Sequence, residues 1–138
     1  MINDKIIEIK NIFELFDNPM DKYTQIIEMG KKNKGLSPEL KNNETRIFGC
    51  TSLAWIHTFK KNDLFYIEID SDTFIVKGLL SILQYIINGS TKEELLKIEL
   101  KDILRNIGLE ESITSQRTNG FLSAMNKIKG QIDINGSK

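Results

Sequence analysis

The chain has a single thiol and a single imidazole, the two side chains that could together carry nucleophilic or metal chemistry. Cys50 is the only cysteine, in the sequence Arg-Ile-Phe-Gly-Cys-Thr-Ser, and His57 is the only histidine. A thiol can act as a catalytic nucleophile, ligate a metal, form a disulfide or carry a transferred group. The residues around Cys50 decide which of these uses remain open.

Cysteine hydrolase chemistry requires a base within about 3 Å of the thiol. If residues 51–57 form a straight strand, they span roughly 23 Å at about 3.3 Å per residue. Cys50 and His57 would then lie too far apart to act as a pair. We therefore interpret His57 as a half-exposed strand residue.

Cys50 lacks the additional residues that a metal site or a disulfide would need. One cysteine and one histidine fall short of the ligands that zinc requires, and no C-x-x-C or H-E-x-x-H spacing is present. A single cysteine cannot form an internal disulfide, and there is no glycine-rich phosphate-binding motif. Two interpretations remain: Cys50 is a small buried core side chain, or it carries a group received from another protein.

The neighbouring elements favour display of the thiol. Residues 47–48 end a strand-like piece, residues 53–59 are rich in large apolar side chains, and residues 64–70 alternate between apolar and polar. These segments predict a three-stranded antiparallel meander with Cys50 at its first corner. Gly49 leaves space beside the sulfur and permits backbone conformations that other residues avoid.

Helical patterns flank this meander. Apolar spacing predicts a helix over residues 2–16, a second helix from Pro19, and a buried helix over 74–87 with Asp72 as its N-cap. Thr91 and Glu94 predict a capping box, short helices follow, and a last helix starts near residue 114 before a frayed tail from residue 133. The predicted fold class is α+β, in one domain of residues 1–138, with helices packed on a small sheet.

The composition of the chain limits the classes of partner that the protein is expected to bind. The 138 residues include 19 basic and 19 acidic side chains, so the chain lacks the positive field that attracts nucleic acid. Residues 74–87 are the longest apolar stretch and are too short for the roughly 20 residues of a membrane span. No secretory leader is recognisable. We therefore expect a cytoplasmic protein that binds neither nucleic acid nor membrane.

Four motifs resemble the SufE family of sulfur acceptors. They are D-K-Y-T-Q-I-I-E-M-G, F-G-C-T-S-x-x-W, S-D-T-F-I-V-K-G-L and R-T-N-G-F-L-S-A-M, in this order between about residues 13 and 129. The resemblance implies a fold similar to that of IscU-type scaffolds. Those scaffolds hold a cluster with three cysteines, so ligand count argues against cluster assembly on this chain. Thr51 and Phe74 depart from the family pattern, where glutamine and a smaller residue are usual.

The resemblance implies a function in iron–sulfur cluster metabolism. Cys50 would take persulfide sulfur from a SufS-like cysteine desulfurase, stimulate that enzyme and deliver the sulfur to a SufBCD-like scaffold. The protein would thus be a sulfur-transfer partner rather than a stand-alone enzyme. It would need no cofactor or metal of its own, because the pyridoxal phosphate belongs to the desulfurase. The chain could act as a monomer or a homodimer.

Arg117 is the second candidate site residue. The resemblance suggests that it lies near the cysteine loop, where its charge would favour the thiolate or persulfide anion. The alternative is a surface arginine that caps or bridges helices. For the whole protein, the alternative is a non-catalytic binding module, or an allosteric activator of a desulfurase, in which Cys50 is only structural.

Overall fold

The computed structural model describes residues 2–48, 52–109 and 115–136. Within them the chain forms six helices, two strands and one 3-10 turn. In order these are α1 (Ile2–Glu14), α2 (Pro19–Lys32), the 3-10 turn (Pro38–Leu40), β1 (Ala54–Lys61), β2 (Leu64–Ser71), α3 (Phe74–Ile87), α4 (Lys92–Lys97), α5 (Leu100–Ile107) and α6 (Ser115–Gly136).

The described sheet has two strands, so the predicted third strand is wrong. β1 runs antiparallel to β2, with Ala54 opposite Ser71 and Lys61 opposite Leu64. The predicted first strand is reduced to a single bridge between Arg46 and Trp55. The α+β class is confirmed, with helices packed on a small antiparallel sheet.

A side-chain turn explains the missing strand. The Asn42 side-chain oxygen accepts hydrogen bonds from the backbone N–H groups of Glu44 (2.9 Å) and Thr45 (3.2 Å). The Thr45 hydroxyl donates to the carbonyl of Leu40. Such local bonds compete with strand pairing, so the chain reaches the sheet edge only at residues 45–47.

The buried helix predicted over residues 74–87 is confirmed as α3, which packs against β2 and α2. Gly78 and Gly30 let the two helices approach closely. A Cβ atom on Gly78 would lie 1.9 Å from the carbonyl oxygen of Ile26, and one on Gly30 would lie 2.2 Å from that of Phe74. Any larger residue at either position would therefore push α2 away from α3.

Most predicted helix ends are confirmed. The Asn18 side chain accepts from the Met20 N–H at 2.8 Å, with Pro19 in the first turn. Thr91 and Glu94 form the reciprocal capping box. Gly108 ends α5 in the left-handed conformation, with φ 77°.

The last helix, α6, extends to Gly136, three residues past the start of the predicted tail. Fraying of this tail stays a prediction. Ile128 and Ile132 are completely buried and join the core built by α1, α3, α5 and the sheet. Burial of these side chains anchors α6 as far as Ile132, because tertiary packing supplies most helical stability in proteins.

Among the described residues, no helix is both long enough and apolar enough to cross a bilayer. The cytoplasmic location stays a prediction.

Candidate functional site

Cys50 and its neighbours Gly49 and Thr51 lie outside the described residues, but the structure describes the chain on both sides of them. The Ile47 N–H donates to the Ala54 carbonyl at 2.8 Å, and the Ile56 N–H donates to the Thr45 carbonyl at 2.8 Å. These bonds flank the Arg46–Trp55 bridge. Residues 48–53, called the Cys50 segment below, therefore connect two paired stems at one end of the sheet.

The downstream stem is bonded to the chain that enters α3. The Leu53 N–H donates to the Asp72 carboxylate at 3.0 Å, and the Asp72 N–H donates back to the Leu53 carbonyl at 3.0 Å. The Ser71 hydroxyl also donates to this carbonyl at 2.7 Å, and the Thr73 hydroxyl donates to that of Ser52 at 3.2 Å. The first described residues after the cysteine, Ser52 and Leu53, are thus held by side chains.

The prediction that Asp72 caps α3 is wrong. The N-cap is Thr73, which makes no side-chain capping bond. Asp72 lies one residue too early, and its carboxylate is engaged by the Leu53 N–H. The role of Asp72 is therefore to fix the end of the Cys50 segment rather than to begin the helix.

Three large apolar side chains are exposed beside this end of the sheet. Phe48 is 62% exposed, Phe74 51% and Leu53 39%. Cations lie over two of the rings, with Arg46 5.4 Å from the Phe48 centroid and Lys31 5.9 Å from that of Phe74. The described ends of the Cys50 segment and the start of α3 therefore expose apolar side chains, and exposed aromatic and arginine side chains are frequent in protein interfaces.

A buried carboxylate lies one residue pair away from the segment, and sequence reasoning missed it. Asp70 is 5% exposed and accepts hydrogen bonds from the backbone N–H groups of Leu36 (3.0 Å) and Ser71 (2.8 Å). Its oxygens also meet Lys41 Nζ at 2.8 Å and Lys77 Nζ at 3.5 Å. We call this set the Asp70 cluster.

The contacts of the cluster keep Asp70 ionised. Burial by itself would raise the pKa of Asp70, but the hydrogen bonds from Lys41, Leu36 and Ser71 and the charge of Lys77 outweigh it, so the pKa lies below its usual 3.8. A signal for this cluster was present in the sequence. Lys77 interrupts an otherwise apolar stretch, and a buried cation needs an anion close by.

The remaining candidates are placed as follows. His57 lies in β1, half-buried, with its ring stacked on Phe59 at 5.8 Å between centroids, in agreement with its predicted role as a strand residue. Trp55 also lies in β1, and Lys41 Nζ is 5.4 Å from its ring centroid. The backbone of Arg117 is in the first turn of α6, but its side chain lies outside the described part of the chain. Its closeness to Cys50 stays a prediction.

Fold and site together define a class: a small α+β protein that presents a cysteine-bearing connection at one end of its sheet. The family model for SufE, described as an Fe-S metabolism associated domain, matches residues 7–132. The chain therefore belongs to the SufE family.

Known proteins agree with this assignment. The chain is 33% identical over 130 residues to an uncharacterized SufE-like protein of Rhizobium meliloti (strain 1021), covering 91% of this chain and 93% of that one. It is 31% identical over 132 residues to the cysteine desulfuration protein SufE of Plasmodium falciparum (isolate 3D7), covering 88% of this chain and 52% of the relative. A solution structure of a hypothetical protein from Thermus thermophilus superposes with TM-score 0.79 over 97% of both chains at 18% identity, and this likeness concerns the fold alone.

Proposed function

We propose that this protein is a sulfur acceptor that takes persulfide sulfur from a pyridoxal-phosphate cysteine desulfurase onto Cys50. The observation that carries the proposal is the position of the only cysteine, in a connection between two paired stems. Family membership supports a role in iron–sulfur metabolism. The name of the Plasmodium relative supports a desulfurase as the partner.

The reaction needs one nucleophile and access to the donor. The Cys50 thiolate attacks the terminal sulfur of the partner's persulfide, so a new S–S bond forms while the partner's own S–S bond breaks. The partner's cysteine leaves as a thiolate, and the transferred sulfur keeps its proton. No external oxidant or reductant is required, because Cys50 supplies the electron pair of the new S–S bond and the leaving sulfur keeps the pair of the bond that breaks. A second exchange of the same kind passes the sulfur to a SufBCD-like scaffold.

Arg117 would assist the transfer, and the only cofactor of the reaction would belong to the desulfurase. The charge of Arg117 stabilises the thiolate and the persulfide anion. This chain contributes no cofactor, because the pyridoxal phosphate that cleaves cysteine is bound by the desulfurase. By removing the persulfide, the acceptor also accelerates desulfurase turnover.

Intact-protein mass spectrometry after incubation with the cognate desulfurase and cysteine tests the proposal. The wild type should gain the mass of one sulfur atom, and Cys50→Ser should gain none. The matched control is Cys50→Ser combined with Ser52→Cys, which moves the only thiol to a residue held by the Thr73 hydroxyl. This double variant should accept sulfur at least about tenfold more slowly, since transfer depends on close positioning.

Two outcomes would contradict sulfur transfer. Absence of added sulfur mass on the wild type removes the proposed function. Full stimulation of the desulfurase by Cys50→Ser would instead identify an allosteric activator with a structural Cys50.

The role of Arg117 is tested by the pH profile of Cys50 alkylation. Arg117→Gln should raise the pKa of the Cys50 thiol, while Arg117→Lys keeps it near wild type. Equal profiles for the two variants would remove Arg117 from the site.

A further inference from the structure

The Asp70 cluster joins three separate parts of the chain at one carboxylate. Leu36 and Lys41 belong to the loop after α2, Ser71 to the end of β2, and Lys77 to α3. Lys41 additionally lies over the ring of Trp55 in β1. The Asp70 carboxylate therefore links the loop and α3 to β2, and Lys41 extends this contact to β1.

The cluster lies next to the stems of the Cys50 segment. Asp70 is opposite Trp55 in the sheet, and Trp55 is bridged on its other side to Arg46. The following pair is Ala54 opposite Ser71, and the Ala54 carbonyl accepts the bond from Ile47 that closes the base of the segment. The carboxylate is thus one residue pair away from that base.

The fit around the carboxylate is tight. A Cβ atom on Gly35 would lie 2.4 Å from Asp70 Oδ2, so the loop backbone rests directly against the carboxylate. The Asp70 side chain is 8% exposed and that of Lys77 14%. Two lysines and two backbone N–H groups converge on it, which is more restraint than an exposed ion pair provides.

We propose that Asp70 is a positioning residue for the Cys50 segment. By holding Lys41 and the loop against Trp55, it sets the separation of the stems that end at Ile47 and begin at Ala54. The functional part of this inference rests on the proposed sulfur transfer, because correct stem separation lets the segment present Cys50 to the partner. Asp70 itself touches neither the donor nor the sulfur.

The experiment compares Asp70→Asn, Lys41→Met and Lys41→Arg with the control Asp102→Asn. The control removes the charge of another aspartate that forms an ion pair, with Arg105 in α5. This pair is exposed, since the Asp102 side chain is 54% exposed and that of Arg105 63%. Lys41→Met keeps the backbone hydrogen bonds of Asp70 and so serves where Asp70→Asn fails to fold. Lys41→Arg keeps the positive charge beside Asp70 and should therefore behave like the wild type.

Hydrogen exchange gives the structural readout. The Ile47 amide reports on the base of the segment, and the Phe65 amide, bonded to the Ser90 carbonyl at 2.8 Å, reports on the other end of the sheet. In Asp70→Asn and Lys41→Met, exchange at Ile47 should accelerate about tenfold more than exchange at Phe65, because opening is local. Equal acceleration at both amides would mean that Asp70 contributes only general stability and would overturn the inference.

Single-turnover sulfur transfer gives the functional readout, measured at varied desulfurase concentrations. The two variants should lose about tenfold in maximal transfer rate, whereas Lys41→Arg and Asp102→Asn should stay within about twofold of wild type. Unchanged rates in both variants would overturn the positioning role. If the wild type takes up no sulfur, the proposed function fails, and the inference is then decided by hydrogen exchange and by the alkylation rate of Cys50, which a positioning role must alter.

Discussion

The two ends of the sheet are built in different ways. At one end β1 and β2 are joined by Asn62 and Asp63, whose φ angles of 55° and 66° form a two-residue hairpin turn. At the other end the Cys50 segment connects stems that are held by hydrogen bonds from Ser71 and to Asp72. The first connection is determined by its own backbone, whereas the second depends on residues distant in sequence.

This difference explains where function can reside. A two-residue turn has no freedom to present a side chain in alternative ways. Functional residues are disproportionately found on connections that a rigid scaffold positions, and the stems on both sides of Cys50 are restrained in this way.

Each end has a glycine in the left-handed region, and the two should respond differently to alanine. Gly35 has φ 75° and lies against the Asp70 carboxylate, whereas Gly89 has φ 84° and no atom within 4 Å of an added Cβ. Gly89→Ala should lower the free energy of unfolding by about 1–2 kcal/mol from backbone strain alone. Gly35→Ala adds an overpacking cost of about 1–3 kcal/mol. Denaturant unfolding measures both variants, and equal losses would show that the carboxylate moves away freely.

Acid should weaken the end of the sheet that carries the Asp70 cluster. The pKa of Asp70 is lower in the folded protein than its usual 3.8, so its contribution is complete above that value and is lost as the pH falls through the lowered pKa. One such group changes the free energy of unfolding by at most about 1.4 kcal/mol per pH unit. Wild type should therefore lose more stability than Asp70→Asn as the pH falls below 3.8. Parallel curves for the two proteins would contradict the ionised cluster.

Removing the Asp72 side chain should loosen only the Cys50 end. Asp72→Ala leaves the Leu53 N–H without its acceptor, at an expected cost of about 1 kcal/mol, and amide exchange at Leu53 should accelerate. Thr91→Ala is the matched control, because loss of the cap of α4 costs about 1 kcal/mol away from the segment. If Leu53 exchanges equally fast in both variants, Asp72 does not restrain the segment.

The smallest effect is expected at the hairpin turn. Asp63→Gly places a residue that favours positive φ at the second turn position and should raise the free energy of unfolding by about 0.5–1 kcal/mol. Sulfur uptake in the proposed reaction should not change, because the turn is at the other end of the sheet. A change in uptake comparable with that of Asp70→Asn would break the distinction between the two ends.

Much of the fold could be predicted from local patterns. The apolar spacing of α1, the apolar stretch of α3 and the capping box at Thr91 all act within a few residues, and the structure confirms them. The third strand was wrong because local hydrogen bonds to the Asn42 side chain replace strand pairing. The local pattern also did not show that burial of Ile132 anchors α6 in the core.

The candidate site divides in the same way. Sequence alone identified Cys50 as the only thiol, excluded most of its chemistry by counting ligands and bases, and showed the resemblance to the family to which the chain belongs. Tertiary structure alone revealed that Asp72 bonds to Leu53 and that Asp70 gathers two lysines beside the stems. Residue identity determines what a side chain can do chemically, but only folding brings together charges that are separated by 29 residues (Lys41 to Asp70) and decides which of them are shielded from water.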